Sequence, residues 1–135
     1  MKERRSEIRI PLISERATLK LLDDSYMNKN LRDISSKGVF IYSEELLLPN
    51  TPIEVTFELP AGLGLLKLKG KVKFVNWAST KKKLKKDLGF SCVFDAMTKS
   101  HTQILSAYCV YLRNKQISVV ATRILNEMNK GRTFI

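Results

Sequence analysis

The sequence predicts a mainly β domain, a small antiparallel barrel or sandwich followed by a C-terminal helical element. Three observations carry that expectation. Short runs of alternating apolar residues recur from Ala17 to Phe94, turn-forming residues separate them, and after Ser100 the apolar spacing lengthens to that of a helix.

The runs are Ala17–Leu21, Gly38–Tyr42, Ile53–Leu59, Leu66–Val75 and Leu88–Phe94. In the fourth, Leu66, Leu68, Val72 and Phe74 fall on alternating positions with Lys67, Lys69, Lys71 and Lys73 between them. That pattern puts one face of a strand in the core and the other in water. Pro49-Asn50-Thr51-Pro52, Pro60-Ala61-Gly62-Leu63-Gly64 and a basic loop at Lys81–Lys86 punctuate the runs. In the tail, Ser100-His101-Thr102-Gln103 fits a capping box, with Gln103 reaching back to the Ser100 amide. Ile104, Leu105, Tyr108, Tyr111 and Leu112 then recur at helical spacing, and Ile117, Val120, Ile124, Leu125 and Met128 continue it after a break placed near Asn114. The organisation read from these signals is a flexible arginine-rich arm over 1–11, a barrel over 12–97 and a helical element over 98–130, all one domain.

The formal charge of +11 directs attention to an anionic partner: nucleic acid, a nucleotide or an acidic protein surface. No apolar run approaches the ~18–20 residues of a membrane span. The basic start has no apolar stretch behind it, so a secretory signal is not expected and a cytoplasmic location is. Cys92 and Cys109 could pair on number alone. Both sit within apolar runs, however, and in a cytoplasmic chain that favours two buried thiols. An enzyme is not expected. The single histidine, His101, falls at a helix start, and there is no metal-ligand spacing, Gly-rich phosphate loop or histidine beside a nucleophile. No cofactor and no metal are expected either.

Two short motifs remain. Arg5 and Arg9 are four apart, with Arg4 before them. Guanidinium groups fork onto phosphate oxygens and the guanine O6/N7 edge, and they stack flat on bases. Alone, the run reads as a solvated tail, as most basic N-terminal runs are. The second motif is Asp33-Ile34-Ser35-Ser36-Lys37-Gly38, a polar set ending in a glycine at the mouth of an apolar strand. Aspartate and serine side chains cap turn amides, and glycine admits positive φ or a close backbone approach. Alone, it reads as a turn before a strand.

Together, an Arg-x-x-x-Arg arm and, about two dozen residues later, Asp-x-Ser-x-x-Gly entering a strand resemble the PilZ domain family. Arg5, Arg9, Asp33, Ser35 and Gly38 match its two signatures position for position. The likeness extends through Gly70–Trp77, Leu88-Gly89-Phe90 and the terminal helix, roughly residues 4–113. The resemblance implies a six-stranded antiparallel β-barrel with a C-terminal α-helix, acting as a bacterial second-messenger receptor for cyclic di-GMP. It implies that the arginine arm folds over the ligand while the Asp33–Gly38 turn holds another edge, and that the signal passes to a downstream effector protein. Arg4 would add contacts, and Trp77 would line the nucleotide site. For both, the plain alternatives are a solvated arginine and a half-buried packing tryptophan. Lys81–Lys86 reads as the solvated tip of a hairpin.

The competing function is a basic barrel that binds single-stranded nucleic acid or an acidic protein without any dinucleotide. Such barrels interleave exposed aromatics with basic residues along a strand face. Here the lysines of 66–75 alternate with aliphatics, which argues against nucleic acid.

Overall fold

The computed structural model describes residues 8–45, 47–76 and 88–129. Arg4, Arg5, Trp77 and the Lys81–Lys86 loop lie outside the described residues. Within them run seven strands, a 3-10 turn at Pro60–Gly62 and one α-helix: β1 (Ile10–Pro11), β2 (Arg16–Lys20), β3 (Tyr26–Ile34), β4 (Gly38–Tyr42), β5 (Pro52–Glu58), β6 (Leu65–Asn76), β7 (Gly89–Phe94) and α1 (Lys99–Asn129).

Alternation decides which face of each strand turns inward. In β5, Ile53, Val55 and Phe57 are buried, and in β6 so are Leu66, Leu68 and Val72, while the lysines between them face out. The order β3-β2-β5-β6-β7-β4 is antiparallel throughout, and a further β3–β4 pairing returns the sheet to its first strand. The result is a closed six-stranded barrel, which leaves the ring no unpaired edge. The seventh strand, β1, is a two-residue addition against β3, with Ile10 opposite Ile34 and Pro11 opposite Asp33. The root of the arm is therefore seated on the barrel. Ile10 packs against the core and Leu12 is buried in it.

The runs read from the sequence correspond to β2, β4, β5, β6 and β7. The strand Tyr26–Ile34 was not among them. Its inward-leaning positions are Met27, Lys29 and Leu31 and then, past a shift of register, Ile34, so the apolar alternation is broken. What holds it is pairing on both sides: β2 along its first half, β4 and β1 along its second.

The helix begins differently from the expected capping box. Thr98, not Ser100, is the cap: its Oγ1 accepts from the His101 amide at 3.0 Å. His101 Nδ1 accepts from the Thr98 amide at 3.3 Å. The reciprocal geometry of a capping box is kept, with histidine in the place of Glu or Gln. The helix then runs unbroken through Asn114 to Asn129, 31 residues or about 46 Å. Its first half completes the core with Leu105, Tyr108, Cys109 and Leu112. The Tyr108 ring tilts against Phe57 at 5.7 Å, and Phe94 meets Phe57 edge-on at 6.1 Å. Lys115 Nζ donates to Glu15 at 2.8 Å and ties the helix to the segment after β1. Beyond it, Ile117, Val120, Ile124, Leu125 and Met128 are exposed. Among the described residues, no helix is long and apolar enough to cross a membrane.

Both cysteines are buried free thiols. Burial, reinforced by the charge of Asp95, pushes Cys92 up to about 12, and burial pushes Cys109 up to about 11. A thiol held that far above neutrality supplies almost no thiolate. An aromatic disulfide reagent at about pH 8 should therefore leave both unreacted in the folded protein and label both once denaturant unfolds it. Labelling under native conditions would contradict this burial.

The two halves of the helix should also respond differently to truncation. Leu112→Ala should cost about 2–5 kcal/mol in chemical denaturation, the range for a cavity in a core. Ile124→Ala should stay within about 0.5 kcal/mol, as for an open surface. A large loss at Ile124 would mean that this face is covered in solution.

Candidate functional site

The turn between β3 and β4 is organised by one hydroxyl. Ser35 is fully buried, and its Oγ accepts from the amides of Lys37 at 3.1 Å and Gly38 at 3.2 Å. The Ser35 amide donates to the Gly38 carbonyl at 2.9 Å, closing the hairpin. Gly38 is there for space: a Cβ would run into the Cys92 carbonyl oxygen where β4 lies against β7. Of the two roles open to this glycine in the sequence, close backbone approach is the one observed.

Asp33 behaves differently from the expectation that it caps the turn. It lies within β3, opposite Phe40 on one side and Pro11 on the other. Between Leu31 and Asp33 the β3–β4 register slips by one residue, a bulge that makes Arg32 the extra residue. The bulge places Arg32 beside the Asp33 carboxylate on the outside of the barrel. Oδ1 accepts from Arg9 Nε at 2.7 Å and pairs with Arg9 Nη2 at 2.6 Å. Oδ2 accepts from Arg32 Nε at 2.8 Å. The side chain of Asp33 is only 12% exposed, against 29% for Arg9 and 43% for Arg32. A largely buried carboxylate thus holds two guanidinium groups at the surface, a cluster of net positive charge.

Arg32 has a second support. Its guanidinium carbon stands 3.7 Å above the Phe40 ring centroid. Phe40 faces out of the barrel, yet it is only 2% exposed. Tyr42 meets it edge-on at 6.3 Å, and a Cβ on Gly89 would crowd its Cε1 at 2.8 Å. Beyond Tyr42 the outer surface opens into a cleft of about 810 Å³, lined among others by Arg16, Asn28, Asn30, Tyr42 and Glu45. In its wall Arg16 donates to Asn30 Oδ1 at 3.0 Å and to the Asn28 carbonyl at 3.1 Å.

The structure therefore gathers Arg9, Asp33, Ser35 and Gly38, four of the residues singled out by sequence, within one hairpin and the strand beside it. Arg4, Arg5 and Trp77 lie outside the described residues. Arg32, Phe40 and Tyr42 were missed as site residues. Arg32 and Phe40 flank the motif itself, but only the bulge and the packing reveal what they do. Among the described residues no three His, Cys, Asp or Glu side chains gather as a metal site would require.

The fold recurs in solved structures at low sequence identity. The PilZ domain of YcgR from Escherichia coli with c-di-GMP matches with a TM-score of 0.68 and 14% identity, covering 88% of this chain and 98% of that one. The Bacillus subtilis inhibitor of motility MotI/DgrA matches at 0.64 and 13% identity, over 87% of this chain and 53% of that one. PlzA of Borreliella burgdorferi in complex with c-di-GMP matches at 0.55 and 15% identity, over 78% of this chain and 40% of that one. No curated protein matches by sequence. A family model for the PilZ domain matches residues 3–111, most of the chain and both arginine and Asp33–Gly38 motifs, and the chain belongs to the PilZ domain family.

Proposed function

We propose that this chain is a non-catalytic cytoplasmic receptor for cyclic di-GMP, which it binds with the arginine arm and the Asp33–Gly38 segment and reports to a protein partner. The observation that carries the reading is the Asp33 carboxylate holding two arginines at the surface beside the Ser35-organised turn. The ligand's chemistry suits that arrangement. It carries two phosphate charges and two guanines, and a guanidinium can fork onto the first or lie flat on the second.

The geometry also suggests how ligand and protein exchange partners. A carboxylate offers about four acceptor positions. Arg9 occupies two on Oδ1 and Arg32 one on Oδ2. A phosphate approaching the arm draws Arg9 away from Asp33. The vacated Oδ1 then accepts from the N1–H and N2–H donors of guanine, so no group is left unpaired at either stage. Arg5 joins Arg9 on the ligand, Arg4 adds charge beside them, and Trp77 lines the far edge of the base. Repositioning the arm alters the surface around β1, where the arm, β3 and the segment tied to α1 by Glu15 and Lys115 converge. That surface is the one a downstream protein would read.

Titration of cyclic di-GMP into the native chain by calorimetry tests the reading. Arg9→Ala and Arg5→Ala should each weaken binding by about 1.5–3 kcal/mol, the range for hydrogen bonds to charged groups. With Arg9→Ala the barrel should keep its melting temperature to within a few degrees, because that side chain lies outside the core. Unchanged affinity in both variants, or no binding by the native chain, would overturn it.

A further inference from the structure

Arg32 is outside the two motifs, and the geometry around it has the form of a prepared binding surface. Three supports fix its plane. The bulge in β3 turns it outward beside Asp33, the Asp33 carboxylate takes its Nε–H, and the Phe40 ring lies beneath it at 3.7 Å. Phe40 is itself braced by Tyr42 and by the close backbone of Gly89. Among the described residues no hydrogen bond or ion pair other than that to Asp33 is made by the Arg32 guanidinium, and the side chain is 43% exposed. One flat face of the guanidinium is thus spent on Phe40, and the other looks out.

A guanidinium pinned in this way has lost its rotamer freedom before any ligand arrives, so a planar partner adds to the stack without the cost of ordering a long side chain. Arginine over an aromatic ring is favourable already, and purine bases stack on guanidinium planes. Its position fits as well. Arg32 shares Asp33 with Arg9 on the arm side and shares Phe40 with Tyr42, which lines the open cleft, on the other. A two-base ligand held by phosphate at the arm would lay a base across it.

We propose that Arg32 is a ligand-binding residue of this site, one that stacks a guanine of the dinucleotide on its outer face as the third layer above Phe40. The inference rests on the cyclic di-GMP reading and adds to it a residue that decides base recognition.

The test uses the full chain with cyclic di-GMP, comparing the native protein with Arg32→Ala and Arg32→Lys by calorimetry. It also follows the Arg32 Nε–H resonance of the native protein during titration. Arg32→Ala should lose at least about tenfold in affinity, equivalent to about 1.4 kcal/mol. Arg32→Lys keeps the charge but not the plane, and should lose nearly as much. The Nε–H signal should move upfield under the ring current of the stacked base, and the melting temperatures should hold. Recovery of native affinity by lysine would reduce Arg32 to a charge and overturn the stacking role. An affinity loss with a stationary Nε–H signal would reduce it to a support for Asp33, which also overturns it. Native affinity in both variants would remove Arg32 from the site while leaving the receptor reading in place. Absence of binding by the native chain would remove both.

Discussion

The pairing of β3 on both of its edges is the constraint on which the rest of the molecule depends. From Tyr26 to Asn30 it pairs with β2, and from Leu31 to Ile34 it pairs with β4 on one side and β1 on the other. The β4 contact closes the barrel. The β1 contact seats the root of the arm, and the bulge within the β4 contact sets Arg32 beside Asp33. A closed sheet cannot relieve a register mismatch at a free edge, so the extra residue is absorbed within the strand. Barrel closure, arm placement and the surface cluster are three consequences of one stretch, Leu31–Ile34.

Electrostatics gives that stretch its chemical character. With a formal charge of +11, the chain has cations to spare, and most of those among the described residues, such as the outward lysines of β6, stand in water. Asp33 is unusual in being nearly buried while charged groups converge on it. A buried carboxylate needs partners, because an unpaired charge out of water is costly. It finds them in two arginines whose far ends remain at the surface. The acid thus acts as an anchor that aims positive charge outward. Phe40 plays the apolar counterpart, holding the Arg32 plane that Asp33 holds by its edge.

Much of this was legible in the sequence, and the remainder was hidden for physical reasons. Strands β2, β5, β6 and β7 announce themselves because one face of each meets the core, so the apolar period survives, and β4 does so as a continuous apolar run. Strand β3 does not, since Lys29 occupies an inward-leaning position and the bulge at Arg32 shifts the period, and only its neighbours make it a strand. Arg9, Asp33, Ser35 and Gly38 could be named from the two motifs taken together and the family they resemble, yet the partnership of Asp33 with arginines rather than turn amides could not. A bulge belongs to the pairing of two strands and has no signature in either one, which concealed Arg32. The helix start was displaced by two residues because His101 serves where Glu or Gln is expected, and Asn114 lies in a helix strong enough to absorb it.

The central claim is that the anion site is the outer strip of β1, β3 and β4 rather than the lysine face of β6. Mapping amide chemical-shift changes on the native chain during titration with cyclic di-GMP tests it most directly. The account predicts that the largest saturable changes fall on Arg9–Leu12 and Arg32–Phe40, with Lys67, Lys69 and Lys71 unmoved. Changes concentrated on those lysines, with Arg32–Phe40 silent, would contradict it and place this protein among basic barrels that hold anions on a lysine-lined strand.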